Sequence, residues 1–269
     1  MKGEWAVQKK KSSRYPKRVV TFDGFDADFV DEVSSKRRIG KDYKYRHKNP
    51  LWHACAFILY RMIVFPIAFL YCKIALRQKI IGRKKLKGHR SYVLYCMHNE
   101  PVGDAMTPSQ VAFPKKAHVV IHPDNVALPI VGRILPMLGG LPTPTDLGGI
   151  RSYIRETSAM LSRGAVITVY PEAHVWPRCT FVRPFRESAF DLAVRSGVAS
   201  FSVTRVYKRS RLFGFKCRLY VDGPFYPTAK SGSVAREELS ELVHSSMEAR
   251  AKENELEIIS YVQVEKNNG

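Results

Sequence analysis

Apolar residues fall in short blocks along most of this chain and in one long block near its start. The long block, residues 51–76, reads LWHACAFILYRMIVFPIAFLYCKIAL. Its length suits a bilayer span, which takes roughly 20 apolar residues. Arg61 and Pro66 interrupt it, and Trp52, Tyr60 and Tyr71 are residue types that favour the membrane interface. A charge at the centre of a span is expensive. The pattern therefore predicts a helix, kinked near Pro66, that lies in or dips into one leaflet. The alternative is a buried core helix.

After this block the pattern alternates. Tyr92–Met97, Ala117–His122, Ala165–Tyr170, Ala199–Val206 and Cys217–Val221 are short apolar or β-branched runs, read as strands. Asp104–Ala112, Val126–Met137, Gly149–Ser162 and Glu187–Ser196 lie between them and read as helices. Strands alternating with helices predict an α/β fold, a mixed sheet flanked by helices, preceded by the apolar membrane-associated helical segment. Val234–Asn254 reads as a charged amphipathic helix, apolar at Leu239, Leu242, Val243 and Met247. The expected organisation is a basic arm (1–50), the apolar segment (51–77), the α/β domain (78–232) and a C-terminal helix and tail (233–269).

Charge changes the picture of the partners. The chain of 269 residues carries 44 Lys and Arg against 24 Asp and Glu, a net +20. Residues 1–50 hold 14 basic and 7 acidic residues with few apolar clusters, so a loosely ordered arm is expected there. Residues 77–90, RQKIIGRKKLKGHR, add seven basic residues and no acid immediately after the apolar block. That arrangement attracts anionic headgroups and places this side at the cytoplasmic face. Basic and aromatic residues form no nucleic-acid-binding motif, so no nucleic-acid partner is expected. Five scattered cysteines without a Cys-x-x-Cys point to a reducing compartment, and the polar N-terminus carries no cleavable signal pattern.

The candidate chemistry begins where the first strand run ends. His98 follows "YVLYCM", and "NEPVG" leads to Asp104 at a predicted helix start. In α/β sheets ligands gather beyond the carboxyl ends of strands. Asp104, stabilised by the helix dipole, can accept a hydrogen bond from His98, fixing the tautomer and leaving the other ring nitrogen as a base. No G-x-S-x-G nucleophile motif is present, so the base would act on a substrate hydroxyl directly. Glu172, in the Pro-Glu turn after the Ala165–Tyr170 strand, sits at a neighbouring strand end, where it would anchor the loop or bind substrate by contacting acceptor hydroxyls. A rival reading gathers His98, His118, His122 and His174 around a metal, as in a zinc hydrolase.

The order of several blocks adds to this. From Gln78 to Pro224 the chain resembles the glycerolipid acyltransferases, which include glycerol-3-phosphate and lysophosphatidate acyltransferases. "QKIIGRKKLKGHRSYVLYCMHNE" is similar to the opening strand, linker and histidine-bearing strand, and "HPDNVALPIVGRILPMLGGL" to the second block. "VYPEAHVWPRCTFVRPFRESAFDLAVRSGV" is similar to the third, and "ASFSVTRVY" holds the place of the fourth. The resemblance implies an acyltransferase with His98 as catalytic base, Asp104 as its orienter and Glu172 in the family's Pro-Glu turn. It implies an acyl-CoA or acyl-carrier-protein donor, a lipid acceptor such as lysophosphatidate, an anionic membrane surface as partner, and no cofactor or metal. The chain departs from the family at four places. The second block lacks its usual arginine near Leu141–Asp146. His98 and Asp104 are one residue further apart than usual. Ala173-His174-Val175 replaces Gly-Thr-Arg, and the fourth block lacks its proline. Arg151 and Arg178 follow the second and third blocks and are the candidates for holding an acceptor phosphate. A catalytically degenerate membrane-bound scaffold of the same fold is the other class of protein these departures allow.

Overall fold

The computed structural model describes residues 18–27, 29, 38–212, 214–229 and 232–264. The rest of the expected N-terminal arm, residues 1–17, 28 and 30–37, lies outside the described residues, as does the end of the tail from residue 265.

A seven-stranded mixed sheet forms the centre. Its strands are β2 (Lys79–Ile81), β3 (Tyr92–Cys96), β4 (Ala117–Ile121), β5 (Gly140–Pro142), β6 (Val166–Val169), β7 (Ala199–Ser210) and β8 (Gly214–Phe225), in the spatial order β2-β8-β7-β3-β6-β4-β5. Every neighbouring pair is parallel except β7 and β8, a long antiparallel hairpin. β3 lies between β6 and β7, and every one of its residues is buried. Its pleat sends Val93 and Tyr95 into the core layer that contains Phe190, Leu239 and Val243. Tyr92, Leu94 and Cys96 enter the layer that contains Val111, Phe201 and Leu219. A strand with helices on both faces has no solvent side, which is why it reads as an unbroken apolar run.

The helices follow the sheet's connections. α1 (Pro50–Phe57) and α2 (Phe65–Leu70) belong to the apolar block. α3 (Gly103–Ala112) links β3 to β4, and α4 (Val131–Leu138) links β4 to β5. α5 (Leu147–Ser162) links β5 to β6, and α6 (Asp191–Ser196) precedes β7. α7 (Gly232–Ala251) buries Ala235, Leu239, Val243 and Met247, a stripe at four-residue spacing. Leu242, expected on the apolar face, is 39% exposed at its margin. The expected helix Val126–Met137 is divided into a 3-10 turn at Pro123–Ala127 and α4. Gly139, at φ 97°, caps α4 in the left-handed region and turns the chain directly into β5.

α1 and α2 are parts of one helix, Pro50–Ala75, completed by π-helical turns at Ile58–Val64 and Tyr71–Ala75. Asn49 starts it by accepting from the backbone N–H groups of Leu51 and Trp52. Pro66 has no N–H to give, and the wide π turns lie to either side of the segment that begins there. Ala56, Tyr60, Ala68, Cys72 and Leu76 are buried, again at multiples of four. An ideal α-helix drifts by about 40° over four residues, and the π turns take up that drift, so one stripe stays on the protein. The helix is long and apolar enough to cross a membrane, and 22% of its most apolar window is buried.

The arm and tail contain structure the hydropathy pattern did not predict. β1 (Arg18–Phe22) and β9 (Ile259–Gln263) pair in parallel as a separate two-stranded sheet. Each is a short strand whose partner lies at the other end of the described chain, so neither has a local signal.

Candidate active site

β3 ends at Cys96, and the chain turns through His98 into the first turn of α3. The turn closes on itself. Asp104 N–H donates to the Glu100 carbonyl at 2.8 Å, and Glu100 N–H donates to Asp104 Oδ2 at 2.9 Å. Gly103 permits this closure. A Cβ there would lie 2.5 Å from Glu100 Cγ and 2.8 Å from Leu76 Cδ1.

His98 Nδ1 donates to the same Asp104 Oδ2 at 2.9 Å. That bond sets the tautomer and leaves Nε2 as the basic nitrogen. The His98 side chain keeps 18% of its surface exposed, and that of Asp104 keeps 3%. The ring of Tyr170, at the end of β6, stacks on the imidazole at 4.2 Å and 26°, and its hydroxyl donates to the Asp104 carbonyl. The ring plane of His98 is thus fixed from one side by an aromatic face and at one nitrogen by a carboxylate.

Behind the pair stands Arg205, near the middle of β7 and 2% exposed. Its guanidinium donates to Asp104 Oδ1, to Asn99 Oδ1 at 3.0 Å and to Thr107 Oγ1 at 2.8 Å. Burial pushes the Asp104 carboxyl up, but the Arg205 guanidinium and the His98 hydrogen bond outweigh it, and the group titrates below the ordinary carboxylate range.

Glu172 is spent on the backbone. Its Oε2 accepts the His98 N–H at 2.9 Å and Arg183 Nη2 at 2.8 Å, and its Oε1 accepts the Arg183 N–H at 3.0 Å. Arg183 in turn reaches the carbonyls of His98 and His174. Both side chains are 1% exposed. Of the two uses open to this glutamate, tying down the loop or touching acceptor hydroxyls, the first is the one its contacts supply. The loop also runs beside the histidine turn, with Trp176 N–H donating to the His98 carbonyl and Arg178 N–H to the Asn99 carbonyl.

Arg178 is brought beside the Asn99–Glu100 turn that follows His98, where its guanidinium pairs with Glu100 and lies over the rings of Phe215 and Tyr207. Burial pushes the Glu100 carboxyl up against the opposing pull of Arg178 and Arg205. Arg151 is not brought to the site. It stands exposed on the second turn of α5, after β5, at the sheet edge three strands from β3. At about 4.8 Å per strand, that puts its helix start roughly 14 Å away across the sheet.

The histidines of the rival reading are dispersed. His118 is in β4, His122 caps the 3-10 turn at Asp124, and His174 faces Arg186 and Asp26. Among the described residues no group of three or more His, Cys, Asp or Glu side chains gathers as a metal site.

Arg205, Arg183 and Tyr170 went unread in the sequence. Arg205 had a signal, a lone cation inside the strand run "ASFSVTRV", since a central strand buries such a charge only against a partner. Tyr170 ends its strand run and Arg183 lies in an irregular loop, and neither carries a comparable mark.

No protein-family model matches the chain, and no curated protein matches it. Among solved structures it is similar to the crystal structure of the 1-acyl-sn-glycerophosphate (LPA) acyltransferase PlsC from Thermotoga maritima. The match has 19% sequence identity and a TM-score of 0.50, over 74% of this chain and 93% of that one. At that identity the likeness is one of fold, the mixed α/β sheet with flanking helices in which the His98 turn is set.

Proposed function

We propose that the protein is a membrane-associated acyltransferase that moves an acyl chain from a thioester to a hydroxyl of a glycerophospholipid precursor such as lysophosphatidate. The observation that carries this reading is the His98–Asp104 hydrogen bond at the carboxyl end of β3, which leaves Nε2 as a free base beside solvent. The fold shared with a lysophosphatidate acyltransferase supports it.

In this reading the acceptor hydroxyl lies against His98 Nε2. As its oxygen attacks the thioester carbonyl carbon, its proton passes to Nε2. The carbonyl oxygen gains charge, then the C–S bond breaks and the thiolate takes the proton from the imidazolium. The products are an ester and a free thiol, of CoA or of a carrier protein. Asp104 stabilises the imidazolium while it exists. General-base help of this kind contributes roughly 10² to 10⁴ in rate. A phosphorylated acceptor would have to share Arg178 with Glu100, so Arg178→Ala is expected to raise the acceptor Michaelis constant more than it lowers turnover.

Membrane association is supported by the Pro50–Ala75 helix, and the cytoplasmic face only by the basic stretch 77–90. Its outer side exposes Leu51, Phe57, Ile58, Met62, Ile67, Leu70 and Ile74.

The test is thiol release and lipid mass spectrometry with acyl-CoA or acyl-carrier protein and a mixed pool of acceptors. Wild-type protein should form an acylated product, and His98→Ala should lose at least 10²-fold of that rate while keeping its melting temperature. A wild-type protein that acylates nothing, or a His98→Ala variant that turns over normally, would refute the reading.

A further inference from the structure

We propose that Arg205 is a positioning residue for the His98–Asp104 pair: its guanidinium, braced by Asn99 and Thr107, holds Asp104 as an anion with Oδ2 turned to the imidazole. This rests on the acyl-transfer reading above and names a residue that His98 and Asp104 alone do not require.

The geometry divides the Asp104 carboxylate into two jobs. Oδ1 takes Arg205, while Oδ2 takes both His98 Nδ1 and the Glu100 N–H. A carboxylate held at only one oxygen can rotate about its Cβ–Cγ bond. Held at both, it presents one oxygen to the histidine. Arg205 is itself held, because Asn99 Oδ1 accepts from its Nη1 and Thr107 Oγ1 from its Nη2, and Thr107 donates to Gln78 at 3.2 Å. Asn99 is fixed in turn by its Nδ2, which donates to the Cys179 carbonyl at 2.8 Å.

The electrostatic argument points the same way. Without a nearby cation this buried pair would bind a proton at higher pH, and that proton occupies the base. Other groups around the pair do not supply the missing charge. Glu100 is acidic, while Tyr170 and Cys96, pushed up by burial, and Tyr207, Cys217 and Cys72 are neutral near pH 7. Arg178 is a further cation, but it pairs with Glu100.

Removing a positive charge raises the proton affinity of both Asp104 and His98, so the pair picks up its inactivating proton at higher pH. Arg205→Met should therefore lower kcat by ~10-fold or more and move the acid limb of the kcat–pH profile upward by about one unit or more. The acceptor KM should change by less than about 2-fold. Arg205→Lys restores the charge without the planar fork. It should return the acid limb to its wild-type position but recover only part of kcat. In an Asp104→Asn background, Arg205→Met should cost little further activity, because Arg205 acts through Asp104.

The His98 imidazole, followed by NMR on the full-length protein in detergent, gives a readout independent of turnover. Its titration should lie higher in Arg205→Met than in wild type. If Arg205→Met does not fold, Arg205→Lys and Arg205→Gln carry the comparison, with the glutamine variant expected to show the raised titration. Equal His98 titrations in wild type and the neutral variant, or full multiplicative losses in the double variant, would overturn the assignment. If wild type transfers no acyl group, the acyl-transfer reading falls, and the His98 titration still decides what Arg205 does.

Discussion

At the scale of single residues, the site rests on buried charges paired with one another. Glu172 and Arg183 make a buried pair whose members also hold backbone groups of His98, His174 and each other. Breaking such a pair by removing one partner leaves an uncompensated buried charge and costs about 3–5 kcal/mol. Glu172→Ala is expected to lower the melting temperature by on the order of 10 °C and to lose activity in proportion to the loosened His98 backbone. Calorimetry and thiol release on the same samples check both. A soluble, normally melting Glu172→Ala variant would show that the clamp is dispensable. His98 and Asp104 were legible in the chain because they are six apart and both bracket one turn. Their supporting residues were not, because Arg205, Tyr170 and Arg183 arrive from β7, β6 and a loop, and only the sheet's strand order makes them neighbours.

A second residue-scale effect lies away from the site. Burial in β4 and the Lys116 charge lower the His118 imidazole to about 4. A histidine held neutral in the fold and protonated more readily in the unfolded chain destabilises as pH falls. The loss begins near the ordinary value of about 6.5 and is complete below about 4. Urea melts across that window should show stability falling with acid, and His118→Phe should flatten that slope.

At the scale of elements, the unexpected one is the β1–β9 ribbon. Phe22, Phe29 and Tyr261 pack their rings on Trp176 at 4.6, 5.1 and 4.9 Å. Trp176 is fully buried, and it also donates through Nε1 to the Ala27 carbonyl. The Tyr261 hydroxyl reaches the Pro177 carbonyl at 2.7 Å. The ribbon thus covers the loop that carries Glu172 and lies along His98. Trp176→Ala is expected to cost about 3–5 kcal/mol and to raise hydrogen exchange first at the backbone amides of positions 176 and 178. Exchange that rises uniformly over the sheet would contradict a local role. Hydropathy patterning found the central strands and α7 because each buries a face of fixed period. It missed the ribbon because its strands are half-exposed, and it missed the short edge strands β2 and β5 because three residues carry no period.

For the whole molecule, the long apolar helix presents one narrow side to the protein and a wide side outward. Arg61, the charge that interrupts its sequence, turns back onto the Pro114 carbonyl and over Phe65 and Phe113. Less of the following basic stretch is free than the composition suggests, since Lys85 pairs with Asp222 and Arg83 bonds to the Phe113 carbonyl. Binding to vesicles is therefore expected to be mostly apolar. Full-length protein should sediment with anionic vesicles at low salt, and 1 M salt, which shortens the screening length to about 3 Å, should remove only a minor part. Complete release by salt would mean that the helix does not enter the lipid.

The ribbon also sets an order of events during synthesis. His98, Asp104 and the strand that aims them leave the ribosome early, and their turn can close with bonds made inside seven residues. The covering of the Trp176 loop must wait for β9, which emerges after all of the central sheet. A nascent chain halted just short of Ile259 would hold His98 against a wall that is not yet braced, so under the acyl-transfer reading proposed above the site would be completed by the last described strand.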